Sequence, residues 1–267
     1  MNLHPALVTK SVDVADSKSA AARRASSSLA EGTTTVVMPP IPPTTKYLLI
    51  ACVAVFLIGT FVPLGWLALW PVGSGNFLPW QVVSYALMHG DTAHLFFNML
   101  GLWMFGSELE TLWGRKRYLQ YILACVLAAA AAQLLVTALM NSQSPTVGAS
   151  GAIYGLLLAY ALAFPRRQFD LVGLLPMLLL MVPSLALNVL GMILYVMLMT
   201  NRNAVPIPPV FVPALTMVAT FGALELFLGL FFRSGVAHFA HLGGMVGGWL
   251  IIRYWRGSPP FGSRRRR

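Results

Sequence analysis

The segment YLQYILACVLAAAAAQLLVTALM, residues 118–140, decides the class of this fold, because 23 consecutive residues carry no charge. At about 1.5 Å of rise per residue, a helix of that length crosses the roughly 30 Å hydrocarbon core of a bilayer. Arg115, Lys116 and Arg117 stand immediately before it, and the run from Tyr47 to Trp70 repeats the pattern behind Lys46. Over the whole chain 57% of the residues are hydrophobic and 10% charged, whereas soluble domains carry about 25% charged residues. These features exclude a soluble globule and predict an all-α, polytopic membrane helix bundle whose first partner is the lipid bilayer.

The formal net charge is +10, but no basic stripe with interleaved aromatics is present, so no nucleic acid is expected as a partner. The cations fall between the apolar runs instead. The clusters are Lys10, Lys18, Arg23, Arg24 and Lys46, then Arg115 to Arg117, Arg166 with Arg167, and finally Arg253, Arg256 and Arg264 to Arg267. Residues 71–93 and 141–149 contain no Lys or Arg. Because basic flanks mark the cytoplasmic side, both termini are expected in the cytoplasm. A bacterial inner membrane is the first choice of location and an organelle membrane the second. Cys52 and Cys125 sit inside apolar runs as small hydrophobes, with no disulfide framework or zinc motif.

Three regions follow from composition. Residues 1–45, rich in Ala, Ser and Thr and ending near Pro39-Pro40-Ile41-Pro42-Pro43, read as a disordered cytoplasmic tail; 46–256 form the membrane domain; 257–267 form a basic cytoplasmic tail. Spans are expected at about 46–70, 92–113, 118–140, 150–164 and 236–255. The Gly/Pro/Trp-rich connection from Pro71 to Asp91 is expected to lie along the interface, anchored by Trp80 and Tyr85. Between residues 165 and 235 lie two further apolar runs, Leu171 to Thr200 and Val210 to Phe232. If residue 165 is inside and residue 235 outside, the connecting chain must cross an odd number of times. The expectation is therefore six core transmembrane helices, plus an apolar insertion at about 171–205 before the fifth, broken by Pro176 and Pro183.

Polar groups are costly inside a bilayer, so ionisable residues there are functional candidates. Four of the five histidines occur in two windows, His89-Gly90-Asp91-Thr92-Ala93-His94 and His238-Phe239-Ala240-His241. A third feature, Gly148-Ala149-Ser150-Gly151-Ala152-Ile153-Tyr154-Gly155, opens the fourth expected span. At a helix N-terminus Ser150 would have free backbone N–H groups and a favourable dipole for a developing anion. Gly148 and Gly151 remove bulk beside it. Gly151 with Gly155, and Gly244 with Gly248, make small-residue faces that allow two helices to approach closely, which would bring His241 to Ser150. A serine needs a base to accept its proton, and histidine is the common one near neutral pH. His94 and Asn98, an i, i+4 pair, could donate to an oxyanion. No aspartate lies near Ser150 or His241 in the sequence to orient the base as a third member, so a Ser-His dyad is the economical reading. Glu225 in the fifth span is expected to make a structural hydrogen bond, with gating or substrate contact as the alternative, and Glu108 and Glu110 to cap a helix or pair with Arg115 or Arg117. His89 and His238 are each expected to make a loop-ordering hydrogen bond, with catalytic support as the alternative.

The chain resembles the rhomboid family of intramembrane serine proteases over about 45–255. His89, His94, Asn98, Gly106, Glu110 and Gly114 match its segment from the first loop through the second span, Gly148-Ala149-Ser150-Gly151 its nucleophile motif, and Ala240-His241 with Gly244 and Gly248 its final-span motif. The resemblance implies Ser150 as nucleophile and His241 as base, with Tyr154 packed on the His241 ring. His94, Asn98 and the Ser150 backbone N–H would form the oxyanion hole. It also implies transmembrane protein substrates, cleaved within or beside the membrane, and no metal or cofactor. The region 171–205 departs from the family pattern. Two other classes compete: an inactive rhomboid-like binder of membrane proteins, and a transporter or proton channel using the intramembrane His and Glu. The sequence leaves the oligomeric state open.

Overall fold

A computed structural model describes residues 40–176, 179, 184–202, 206–231 and 237–257. The first 39 residues, Pro183 and the run Arg264 to Arg267 lie outside the described residues. The fold is helical, with a single pair of short strands among the described residues.

Helix α1, Pro43–Gly59, starts three residues inside the stretch that composition assigns to the tail. Pro42 is its N-cap and Pro43 its first residue, a position where the missing N–H costs nothing. The next two amides, of Thr44 and Thr45, donate to the Glu110 carboxylate at 2.9 and 2.7 Å, and the Thr45 hydroxyl adds a bond of 2.8 Å. Glu110 therefore caps a helix distant in sequence and does not pair with Arg115 or Arg117. Glu108 likewise takes other partners, Arg167 at 3.6 Å and the Tyr160 hydroxyl at 3.3 Å. Helix α1 ends at Gly59, well short of Trp70, in a sequence punctuated by Pro63 and Gly65.

The connection that follows is tied down by polar bonds. Leu69 and Thr146 exchange two backbone bonds of 2.9 Å, joining this connection to the one before Ser150. The buried Gln81 side chain accepts from the Trp70 amide and donates to the Trp66 and Asn76 carbonyls. Trp80 is half exposed, as an interfacial residue would be, but Tyr85 is a core residue and not an interface anchor. A buried tyrosine needs a partner for its hydroxyl, and Tyr85 donates to the Val126 carbonyl at 2.9 Å.

Helix α2, Thr92–Gly101, is capped by Asp91, which accepts the His94 amide at 2.8 Å. It runs through a π-helical turn, Leu102–Gly106, into α3, Ser107–Leu139. The continuous run Thr92–Leu139 is long and apolar enough to cross a membrane, as is α6, Ala214–Phe231. Gly114 interrupts the first of these with φ 75° and ψ 163°. A straight helix would separate Gly106 from Tyr118 by about 18 Å. Instead a side chain at Gly106 would collide with the Tyr118 hydroxyl, so the chain doubles back at Gly114. The only residue type at ease with that φ occurs there, between Trp113 and Arg115.

Helix α4 is Ser150–Ala163 and α5 is Leu185–Thr200. Strands β1, Gln168–Asp170, and β2, Phe211–Pro213, pair antiparallel and close the base of the region between them. Asp170 fastens this base, accepting from the Val172 and Val210 amides at 3.0 and 3.1 Å and from Arg202. Helix α7, His238–Trp255, packs along both α3 and α4, with α6 against α7 and α4. Large apolar side chains such as Leu57, Phe227 and Leu230 point outward from α1 and α6, where a bilayer and not water would meet them.

Candidate active site

The close approach of α4 and α7 comes from glycine. A side chain on Gly244 would fall on the Gly151 carbonyl, so the two backbones touch where any other residue would hold them apart. One helical turn before Gly244, His241 is thereby brought to the first residue of α4. Its Nε2 lies 2.8 Å from the Ser150 Oγ. The Tyr154 ring, one turn along α4, stacks on the imidazole with centroids 4.3 Å apart and planes 5° from parallel.

Gly148 shapes the other flank. Its φ of 121° lies in the region open to glycine, and a Cβ there would stand 2.6 Å from the His94 Nε2 and 3.7 Å from the Ser150 Oγ. His94 and Ser150 therefore border the same small space. The Gly90 amide makes a long contact of 3.5 Å to the His94 Nδ1. If Nδ1 is the acceptor there, the neutral ring carries its proton on Nε2 and can donate toward that space. Asn98 is buried and donates one amide hydrogen to the His94 carbonyl at 2.7 Å, leaving a second hydrogen. His89 packs edge-on against His94 with centroids 5.2 Å apart.

Ser150, His241, His94, Tyr154, Gly148, Gly151 and Gly244 thus converge at one end of α4, with Asn98 one turn behind His94. Sequence reasoning finds no aspartate for His241 and stops at two residues. The structure supplies a glutamate from another helix. Glu225 of α6 is buried, with Oε1 3.0 Å from the His241 Nδ1 and Oε2 2.6 Å from the His238 Nδ1. The first contact lies off the line of a straight hydrogen bond. The Tyr154 hydroxyl also donates to Glu225 Oε1. The signal was present in the chain, since Glu225 is the lone charge between Val210 and Phe232. What the sequence lacks is the rotation of α6 about its own axis. α6 is apolar on every side, so no stripe marks the face that turns inward.

Glu225, His238 and His241 have ligand atoms within 4.8 Å of one another, the donor set of a three-ligand metal site. The 2.6 Å separation of His238 and Glu225 is that of a hydrogen bond and is shorter than the roughly 3.3 Å expected between ligands on one tetrahedral zinc with bonds near 2.0–2.1 Å. The arrangement therefore fits a proton-bridged cluster better than a metal-bridged one.

A family model described as the Rhomboid domain matches residues 77–195 and 188–257, more than half of the chain and all of the groups above. The chain belongs to the rhomboid family. As a rhomboid it is an integral membrane protein. It is 35% identical over 92 residues to Rhomboid protease GluP of Bacillus subtilis (strain 168), covering 34% of this chain and 17% of that protein. It is 28% identical over 114 residues to Rhomboid protease GlpG of Yersinia pestis (strain Pestoides F), covering 41% of this chain and 39% of that one. The aligned regions are thus well under two thirds of either relative's length.

Proposed function

We propose that this rhomboid is an intramembrane serine endopeptidase that cleaves transmembrane or juxtamembrane segments of other membrane proteins. The observation that carries the reading is the 2.8 Å approach of the His241 Nε2 to the Ser150 Oγ at the first residue of α4. In the proposed reaction the Ser150 Oγ attacks the scissile carbonyl carbon while His241 Nε2 takes the hydroxyl proton. The tetrahedral oxyanion accepts hydrogen bonds from the Ser150 N–H, His94 and Asn98. The C–N bond then breaks, and His241 returns its proton to the leaving amine. Water attacks the acyl-enzyme by the same route and restores Ser150. Tyr154 keeps the imidazole from rotating away. The residues need no metal or organic cofactor for these steps.

The proposed topology has six core spans, with the run Thr92–Leu139 divided into two of them at Gly114, and the region 171–205 as an insertion before the fifth. The membrane domain runs from Pro43 to about residue 256, with both of its ends on the cytoplasmic side of a bacterial inner membrane. Helix α4 has 14 residues, about 21 Å of a hydrocarbon core near 30 Å. With Pro165, Arg166 and Arg167 at the cytoplasmic boundary, Ser150 sits roughly 9 Å beneath the opposite surface, close enough for water to reach from that side.

Purified protein in detergent is to be treated with a fluorophosphonate, and the adduct located by peptide mass. The expected result is labelling of Ser150 that disappears in Ser150→Ala and His241→Ala. An unlabelled wild type that is demonstrably folded sinks the protease reading.

A further inference from the structure

Glu225 is 7% exposed within an apolar helix. A carboxylate in that setting is tolerable only where donors surround it. Its donors here are the Tyr154 hydroxyl, His238 and His241, and two of the three belong to the site. The imidazole of His241 has one nitrogen toward each neighbour, with Nε2 facing Ser150 and Nδ1 facing Glu225. A neutral ring can accept the Ser150 proton only if its own proton is on Nδ1, because the other tautomer places an N–H where the lone pair is needed. A carboxylate beside Nδ1 favours the competent tautomer. It also offsets the positive charge that the ring acquires when it takes the serine proton. The contact is imperfectly aligned at rest, and such bonds tighten as charge develops.

We propose that Glu225 is a positioning residue that completes the Ser150–His241 pair, holding the His241 proton on Nδ1 and stabilising the imidazolium. Tyr154 and His238 fix the carboxylate from either side. This inference rests on the protease reading. It assigns to α6 a direct part in the chemistry, and it makes His238 a support for Glu225, three residues from the base that Glu225 serves.

The test is fluorophosphonate inactivation, in which the Ser150 Oγ–P bond forms, the P–F bond breaks, the hydroxyl proton passes to His241 and fluoride leaves. Glu225→Gln keeps the shape and loses the charge, whereas Glu225→Asp keeps the charge and loses a methylene. At saturating probe, the expected order of rates is wild type, then Glu225→Asp, then Glu225→Gln, the last slower than wild type by roughly 10²-fold. A purely structural role ranks the variants by shape, so Glu225→Gln reacting faster than Glu225→Asp, or as fast as wild type, overturns the proposal. A second measurement needs no Glu225 variant. In wild type labelled with ¹⁵N-histidine, with the His241 signal assigned by its loss in His241→Gln, the Nδ1–H tautomer is expected. An Nε2–H tautomer refutes the proposal. Inactivation that is lost on chelation and restored by zinc also refutes it, by making Glu225 a metal ligand. Absence of any Ser150 labelling in wild type counts against the protease reading itself, whereas a labelled wild type with an indifferent Glu225→Gln counts against Glu225 alone.

Discussion

Glu110 and Glu225 are both buried carboxylates, and each gathers donors from other parts of the chain. Around Glu110 the donors are the backbone amides of Thr44 and Thr45 and the Thr45 hydroxyl. Around Glu225 they are two imidazoles and a phenol. The first set cannot change protonation state near neutral pH, so its carboxylate is a fixed cap that welds α1 to α3. The imidazoles of the second set can carry a proton on either ring nitrogen, so its carboxylate sits where proton position matters. The number of bonds does not separate a structural acid from a site acid in this molecule. The chemistry of the donors does.

The sharpest way to break the comparison is at the far side of the His241 ring. Ser150→Ala and His241→Ala are each expected to suppress turnover of a reconstituted transmembrane substrate by about 10⁴-fold or more, equivalent to about 5.5 kcal/mol, and by similar factors because the two act as one unit. Retained turnover in His241→Ala would place the base elsewhere and reduce the Glu225 cluster to a second cap. Glu110→Ala should do the opposite, costing about 3 kcal/mol of stability through orphaned buried donors, read as a fall in melting temperature, with Ser150 labelling of the folded protein unchanged. Slowed labelling without loss of stability would erase the distinction.

Gly148→Ala is expected to have an intermediate effect. The positive φ costs about 1–3 kcal/mol for a residue with a Cβ, and the new methyl displaces His94 from the border of the site. Labelling should slow while α1 stays docked, and an unaltered rate would remove His94 from the proposed oxyanion hole. The smallest effect belongs to a third carboxylate, Asp170. Burial pushes its pKa up, but Arg202 and the Val210 and Val172 amides outweigh that and hold it below the usual range. Its contribution is therefore fully present above about pH 4 and is lost as the pH falls further. Wild type should lose slightly more thermal stability than Asp170→Asn between pH 5 and pH 3, a difference on the order of 1 kcal/mol or less. Equal losses would show that the β1–β2 base does not depend on this charge.

Much of this architecture is legible residue by residue. The uncharged run after Arg117 announces a membrane helix, and Gly114 stands where the chain reverses. The glycines at 151 and 244 mark the faces that meet. Other readings miss for physical reasons. Tyr85 looks interfacial because tyrosine is amphipathic, but a carbonyl at Val126 satisfies its hydroxyl and lets the whole side chain be buried. Glu110 reads as a helix cap or an arginine partner, and of the two it is the cap, for a helix distant in sequence that no local pattern names. The start of α1 at Pro43 is hidden in a stretch whose composition resembles a tail.

The sequence by itself determined the membrane class, the family, and which short motifs carry the candidate site residues, because hydrophobic length, charge placement and small-residue spacing are local properties of the chain. Only the tertiary structure decided that Glu225 faces His241 and His238. A helix that is apolar on every side carries no periodic signal for its own rotation. Its orientation is set by how α6 packs against α4 and α7, and that packing also decides which two nitrogens its single carboxylate can reach.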